Sequence, residues 1–170
     1  VAGGGEDDVE LVLLLGGATS VATGGGRGCT RLLGLHGNAG ADRLNSGTGV
    51  DVLIGGTGSD RFEFANVALS TASERDVIRA GDGATAFQGV GVAGGDVIDL
   101  SGIDANVNVA GNQAFKFIGS AWLSKAGDLG AYADPHGWTS ITGDVNGDGA
   151  VDFCVRVEGY RAFTASDFIL

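Results

Sequence analysis

The sequence predicts an all-β protein rich in tight turns, and three observations carry that prediction. Glycine supplies 33 of 170 residues and proline one, so the backbone must pass repeatedly through conformations closed to other side chains. In residues 37–63 a nine-residue unit occurs three times, with Gly at its fourth place, Asp at its sixth and a large apolar residue (Leu44, Leu53, Phe62) at its eighth. Each unit has room for one short strand and one turn. Beyond Phe64 the period stops, and segments that alternate apolar and polar residues follow, separated by Gly, Asp and Asn.

Composition sets outer limits. The apolar fraction of 44% is enough for a core, while 21 acidic against 10 basic residues give a net charge of −11. That charge repels nucleic acid and anionic lipid and favours cations, so no nucleic-acid partner is expected. The longest apolar run, LVLLL at 11–15, is too short to cross a bilayer, and no transmembrane segment is expected. The opening VAGGGEDD lacks the basic region of a secretory signal peptide, so export is expected to depend on another signal.

Residues 1–36 hold the pattern only in fragments. AGGGEDDVE at 2–10 keeps Gly3, Gly5, Asp7 and Val9, GGATSVATG at 16–24 keeps only its first two glycines, and GGRGCTRLL at 25–33 has Thr30 where Asp belongs. Residues 11–15 and 34–36 read as insertions that break the register, making 1–36 a degenerate lead-in. GGGRG at 24–28 is followed by neither Lys-Ser nor Lys-Thr and sits in no βαβ unit, which argues against a phosphate-cradling loop.

Residues 37–64 hold the intact units. Each turn brings main-chain carbonyls together and adds one carboxylate: Gly37, Ala39, Gly40 and Asp42, then Gly47, Thr48, Gly49 and Asp51, then Gly55, Thr57, Gly58 and Asp60. A hard cation that accepts about six to eight flexible oxygen ligands fits such turns, and Ca2+ fits better than magnesium or zinc. The alternative is a glycine-rich solenoid without metal, whose three aspartates would repel one another. The unit resembles the calcium-binding nonapeptide of RTX proteins. The resemblance implies a parallel β-roll, in which successive units form opposite edges and turns two units apart stack around calcium. Residues 37–42 would then face 55–60 across one ion, and the lead-in would be largely metal-free.

Residues 65–170 read as strands at DVIRA (76–80), GDVIDLSGIDAN (95–106), AFKFIG (114–119) and DFCVRVEG (152–159). The ordered set DVIDLSGIDAN, GNQAFKFIG, GDVNGDGAVDF and the terminal FTASDFIL is similar to the C-terminal domain of the serralysin metalloproteases, departing from it around GAYADPHGWTSIT at 130–142. That resemblance implies an antiparallel, sandwich-like region following the roll. It also implies an upstream passenger, such as a serralysin-like metalloprotease, for which this chain is the non-catalytic tail. Finally, it implies an uncleaved export signal read by a type I exporter, with Asp167 before Phe168, Ile169 and Leu170 as its acid-plus-apolar ending. A strand that closes a sheet would explain those four residues equally.

DVNGDGAVD at 144–152 places Asp144, Asn146, Asp148 and Asp152 at the first, third, fifth and ninth positions of an EF-hand-like loop, with the Ala150 carbonyl at the seventh. The twelfth place is Val155 rather than Glu and the flanks read as strands, so a calcium-bracing hairpin is expected. The alternative is a polar turn whose side chains bind their own backbone.

No catalytic constellation emerges. His36 and His136 are a hundred residues apart, neither is followed by Glu, and a His-Glu-x-x-His zinc site is lacking. They read as a turn residue and a hairpin tip. Cys29 and Cys154 suit either one disulfide or two free thiols. The expected function is that of a secreted, extracellular calcium-binding module that promotes folding and type I export. The other class of function is a glycan- or surface-binding module of an RTX adhesin or carbohydrate-modifying enzyme, acting through Trp122, Trp138 or Tyr132, although these aromatics are expected in the core.

Overall fold

The computed structural model describes residues 11–14, 21–23 and 33–170. The repeat-like segments at 2–10, 16–24 and 25–33, the GGGRG run and Cys29 lie wholly or largely outside the described residues.

Short parallel strands come first: β1 (Leu11–Leu14), β2 (Val21–Thr23), β3 (Leu33–His36), β4 (Ala39–Gly40), β5 (Arg43–Asn45), β6 (Val52–Ile54), β7 (Thr57–Gly58), β8 (Arg61–Glu63), β9 (Val77–Ile78) and β10 (Val97–Asp99). They are followed by β11 (Lys116–Phe117), β12 (Asp128–Ala133), β13 (Trp138–Gly143), β14 (Phe153–Glu158) and β15 (Phe168–Ile169). No α-helix occurs among the described residues; two 3-10 turns lie at Val67–Leu69 and Ala165–Asp167.

Two sheets make a β-roll. One is ordered β1-β3-β6-β9-β14-β13-β12-β11, the other β15-β10-β8-β5-β2, and successive repeat strands alternate between them. The reason is the nine-residue spacing, since each strand of three or so residues is followed by a turn that carries the chain to the opposite sheet. β3, β5, β6, β8, β9 and β10 then each present one large apolar side chain inward. In register across the first sheet stand Leu35, Leu53, Ile78 and Val157, and across the second Leu44, Phe62, Ile98 and Phe168. All eight belong to one buried core. Truncating one of the central residues, Leu53 or Phe62, to alanine is expected to cost on the order of 3 kcal/mol.

Two segments differ from the sequence expectation. Residues 34–36 are not an insertion: Leu35 lies in β3, nine residues before Leu44, in the same phase as Leu53 and Phe62. The register runs on, and what the unit lacks is its Asp, for Leu33 holds the sixth place. Residues 11–14 likewise form β1, paired in parallel with β3 from Leu11↔Leu33 to Leu14↔His36.

The roll passes into the later strands without a gap in either sheet. β9 pairs with β6 on one side and β14 on the other, and β10 lies between β8 and β15. Strand direction then reverses, because β12, β13 and β14 are joined by a short turn and by the loop at 144–152 and pair antiparallel. Their alternation sends Leu129, Ile141, Phe153, Val155 and Val157 to the core and leaves Tyr132, Ser140, Thr142 and Arg156 on the outer face. The aromatics expected in the core are therefore not there. Trp122 is 86% exposed, and Tyr132 and Trp138 are half-buried on that outer face.

Candidate metal centre

The turns at 37–42 and 55–60 lie directly on one another. Their middles form a two-stranded ladder, Ala39↔Thr57 and Gly40↔Gly58, and the Thr57 amide donates to the Asn38 carbonyl at 2.7 Å. Glycine is required by this approach. A Cβ on Gly37 would collide with the Gly55 carbonyl, one on Gly55 with the Asp60 carboxylate, and Gly58, at φ +137°, leaves no room against the Gly40 carbonyl. Oxygens thus occupy the space that side chains would otherwise fill.

A carboxylate ladder runs beside these turns. The Asp60 Oδ1 accepts from the Asp42 amide at 3.0 Å, and Asp96 repeats the contact one layer on, accepting from the Asp60 amide at 2.9 Å and the Gln88 amide at 2.7 Å. On the opposite edge Asp76 accepts from the Asp51 amide at 2.8 Å. All five carboxylates are buried. The Asp60 Oδ2 is buried and has no hydrogen-bond partner among the described residues. Burial raises the Asp60 pKa, the Asp42 amide opposes, and the Asp42 charge raises it further. The same surroundings push Asp96 up to about 6, with burial leading, the Asp60 and Gln88 amides opposing and the Asp60 charge adding. Asp76 rises to about 7 through burial and the Asp51 charge, against the Ser46 hydroxyl and the Asp51 amide.

A row of buried, like-charged carboxylates is costly unless protons or cations neutralise it. The donors present are main-chain carbonyls and carboxylates, the set a hard divalent cation prefers. Among the described residues no three His, Cys, Asp or Glu side chains converge on one point, so a cation at these turns would draw heavily on main-chain oxygens. On these grounds the residues fit calcium.

The remaining sequence-predicted positions fall elsewhere. Gly47, Thr48, Gly49 and Asp51 form the opposite edge, with the Gly47 amide donating to Asn45 Oδ1 at 3.1 Å. The next turn on that edge spans 65–76 and is not a glycine-rich nonapeptide, so Asp76 is the only repeat-like carboxylate it contributes. The loop at 144–152 joins β13 to β14. In it Asp144 accepts from the amides of Asn146, Gly147 and Gly149 at 3.1, 2.6 and 2.9 Å, and Asp152 accepts from the Val145 amide at 2.9 Å. Asn146 Oδ1 accepts from the Asp148 amide, and Asp148 Oδ1 from the Ala150 amide. These side chains serve their own backbone, as in a polar turn. His36 ends β3 with Nδ1 2.9 Å from Asp82 Oδ2, and His136 is exposed in the turn between β12 and β13. Cys154 is buried in β14, and burial raises its thiol pKa.

Asp76 and Asp96 were not singled out from the sequence, although their signal is present. Asp-Val-Ile at 76–78 and 96–98 reproduces the Asp-x-apolar order of 42–44, 51–53 and 60–62. Only the glycine turns between them have been replaced by longer loops.

The profile of a family described as Peptidase M10 serralysin C terminal matches residues 34–170. Among solved structures, the solution structure of the AlgE6R3 subunit from the Azotobacter vinelandii mannuronan C5-epimerase is 25% identical, covering 94% of this chain and 78% of that one, at a TM-score of 0.57. The AlgE6R2 subunit of the same enzyme is 20% identical over 96% and 94% of the two chains, at a TM-score of 0.38. No curated protein matches.

Proposed function

The chain belongs to the serralysin C-terminal family of the M10 peptidases, and from that premise we propose that it is the calcium-binding, calcium-folded module of a secreted exoprotein. The observation that carries this reading is the stacked pair of turns at 37–42 and 55–60, with a buried Asp60 oxygen that has no hydrogen-bond partner among the described residues. Its turns match the RTX nonapeptide unit. The carbonyls of Gly37, Ala39, Gly40, Gly55, Thr57 and Gly58, with Asp42 and Asp60, would hold the ion, and Gly47, Thr48, Gly49 and Asp51 would serve the other edge. Calcium supplies positive charge to carboxylates that are otherwise buried at a cost. The chain's own part is to order those oxygens, exclude water from the apolar rows and lock the strands in register.

Coupling to export follows from affinity. Sites with dissociation constants of about micromolar to millimolar stay empty in cytosol and fill outside, so folding traps the chain beyond the membrane. In this reading residues 167–170 are the signal read by a type I exporter, and catalysis belongs to a passenger joined upstream. In this reading the loop at 144–152, whose side chains otherwise cap their own backbone, takes a further ion. The test is circular dichroism through a calcium titration. β-structure should appear as calcium is added and vanish with chelator, and an unchanged spectrum in chelator overturns the reading. A second reading, that the folded module also binds a glycan, is favoured by one observation, the exposure of Trp122.

A further inference from the structure

The outer face of the antiparallel strands carries a cleft of about 240 Å3 beside Trp122. Trp122 is held in place despite its exposure: its ring stacks on Tyr132 with centroids 5.8 Å apart and planes 26° from parallel. The chain on both sides of it is pinned. The Tyr132 hydroxyl donates to the Ala121 carbonyl, and Asp128 Oδ2 accepts from the Ser124 amide and hydroxyl and from the Lys125 amide at 3.0 to 3.1 Å. Leu123, Ala150 and Val151 form apolar walls. Thr142 lines the same cleft, is 7% exposed, and its hydroxyl has no hydrogen-bond partner among the described residues.

An ordered aromatic shelf bare to water, no charged wall and one buried hydroxyl lacking a partner describe a site for a particular chemistry. An aromatic face carries negative quadrupole charge and attracts the weakly positive C–H face of a pyranose, and polar groups in such clefts fix orientation. The volume is below the roughly 300–1,000 Å3 of pockets that enclose a drug-sized ligand, so it accepts one ring of a chain that continues into solvent. The net charge of −11 repels a polyuronate and leaves uncharged sugars unopposed. The geometry points to a binding site for one pyranose ring of a neutral glycan, stacked against Trp122 and hydrogen-bonded to Thr142. This rests on the second reading given above and deepens it.

The experiment is calorimetric titration of the full chain, in millimolar calcium, with cello-, malto-, manno- and xylopentaose and with oligomannuronate as the charged probe. At least one neutral probe should bind with a blue shift of tryptophan fluorescence. Trp122→Ala should weaken it tenfold or more, and Thr142→Val, which keeps the shape and removes only the hydroxyl, several-fold. Both variants should retain the wild-type circular dichroism. Neutral-probe binding unaffected by Trp122→Ala overturns this site while the glycan reading survives. Absence of binding to every probe overturns both. Binding of oligomannuronate alone overturns the assignment to neutral sugars.

Discussion

At the residue scale, the carboxylates of the roll have opposite effects with and without calcium. Asp60→Asn keeps the shape of the side chain and its acceptor for the Asp42 amide but removes a buried charge. In chelator it should therefore make the chain more stable at neutral pH. In calcium it should raise the midpoint of the folding titration by about tenfold or more, the loss of a charged contact worth roughly 1.5–3 kcal/mol. Calcium titrations of the two proteins check the second sign, and osmolyte-induced folding in chelator checks the first. Asp76→Asn should show the same gain in chelator, because burial, with the Asp51 charge adding to it, holds its carboxyl at a pKa near 7. Gly55→Ala is expected to be worse than either. The added carbon would strike the Asp60 carboxylate, which has no slack on its other side, where it holds the Asp42 amide.

At the element scale, the last strand serves the fold directly. Asp167 is buried and accepts from the Gly91 and Thr164 amides, and Phe168 completes the row begun by Leu44, Phe62 and Ile98. If residues 167–170 are also an export signal, an exporter can read them only before β15 docks. Deleting them should then abolish secretion beside a matching exporter and lower the thermal midpoint of purified protein. Secretion unaffected by the deletion would leave β15 a purely structural strand. In the β13–β14 loop, Asp144→Ala with Asp148→Ala should remove one calcium from the measured stoichiometry and leave the roll folded. An unchanged count would return the loop to the self-bonded turn its hydrogen bonds describe. The repeat strands were legible because a nine-residue period with one apolar residue per unit admits few folds. Two features are not legible in this way: long loops replace the glycine turns before Asp76 and Asp96, and the unit that holds Leu35 lacks the Asp that marks the register elsewhere. Nor was the outward placement of Trp122 readable, since it depends on which face of β12 and β13 meets the core, and a loop residue has no periodicity to reveal it.

At the scale of the whole molecule, pH dependence should invert with calcium. Asp76 and Asp96 have pKa values near 7 and 6 in the fold, above the ordinary 3.8, so without cation their contribution is fully present below about pH 4 and is lost as pH rises toward 7. Each loss is on the order of 3 kcal/mol. Asp99 works the other way. Burial raises it, but the Ser101 hydroxyl and amide and Arg61 outweigh burial, so its support fails as pH falls below the ordinary carboxylate range. In chelator, β-structure should therefore be absent at pH 7 and regained toward pH 4, while in calcium stability should be higher at pH 7; circular dichroism across that range decides it. The alternation of repeat strands between the two sheets has a further result, which concerns parity. β5 and β8, eighteen residues apart, share one sheet, while β6, midway between them, belongs to the other. Duplicating residues 46–63 would return every later strand to its own side. Duplicating 46–54 alone would exchange the sides, sending Ile78 where Ile98 belongs and leaving the β12–β14 hairpins with the wrong neighbour. A molecule built in this way can lengthen or shorten only by even steps.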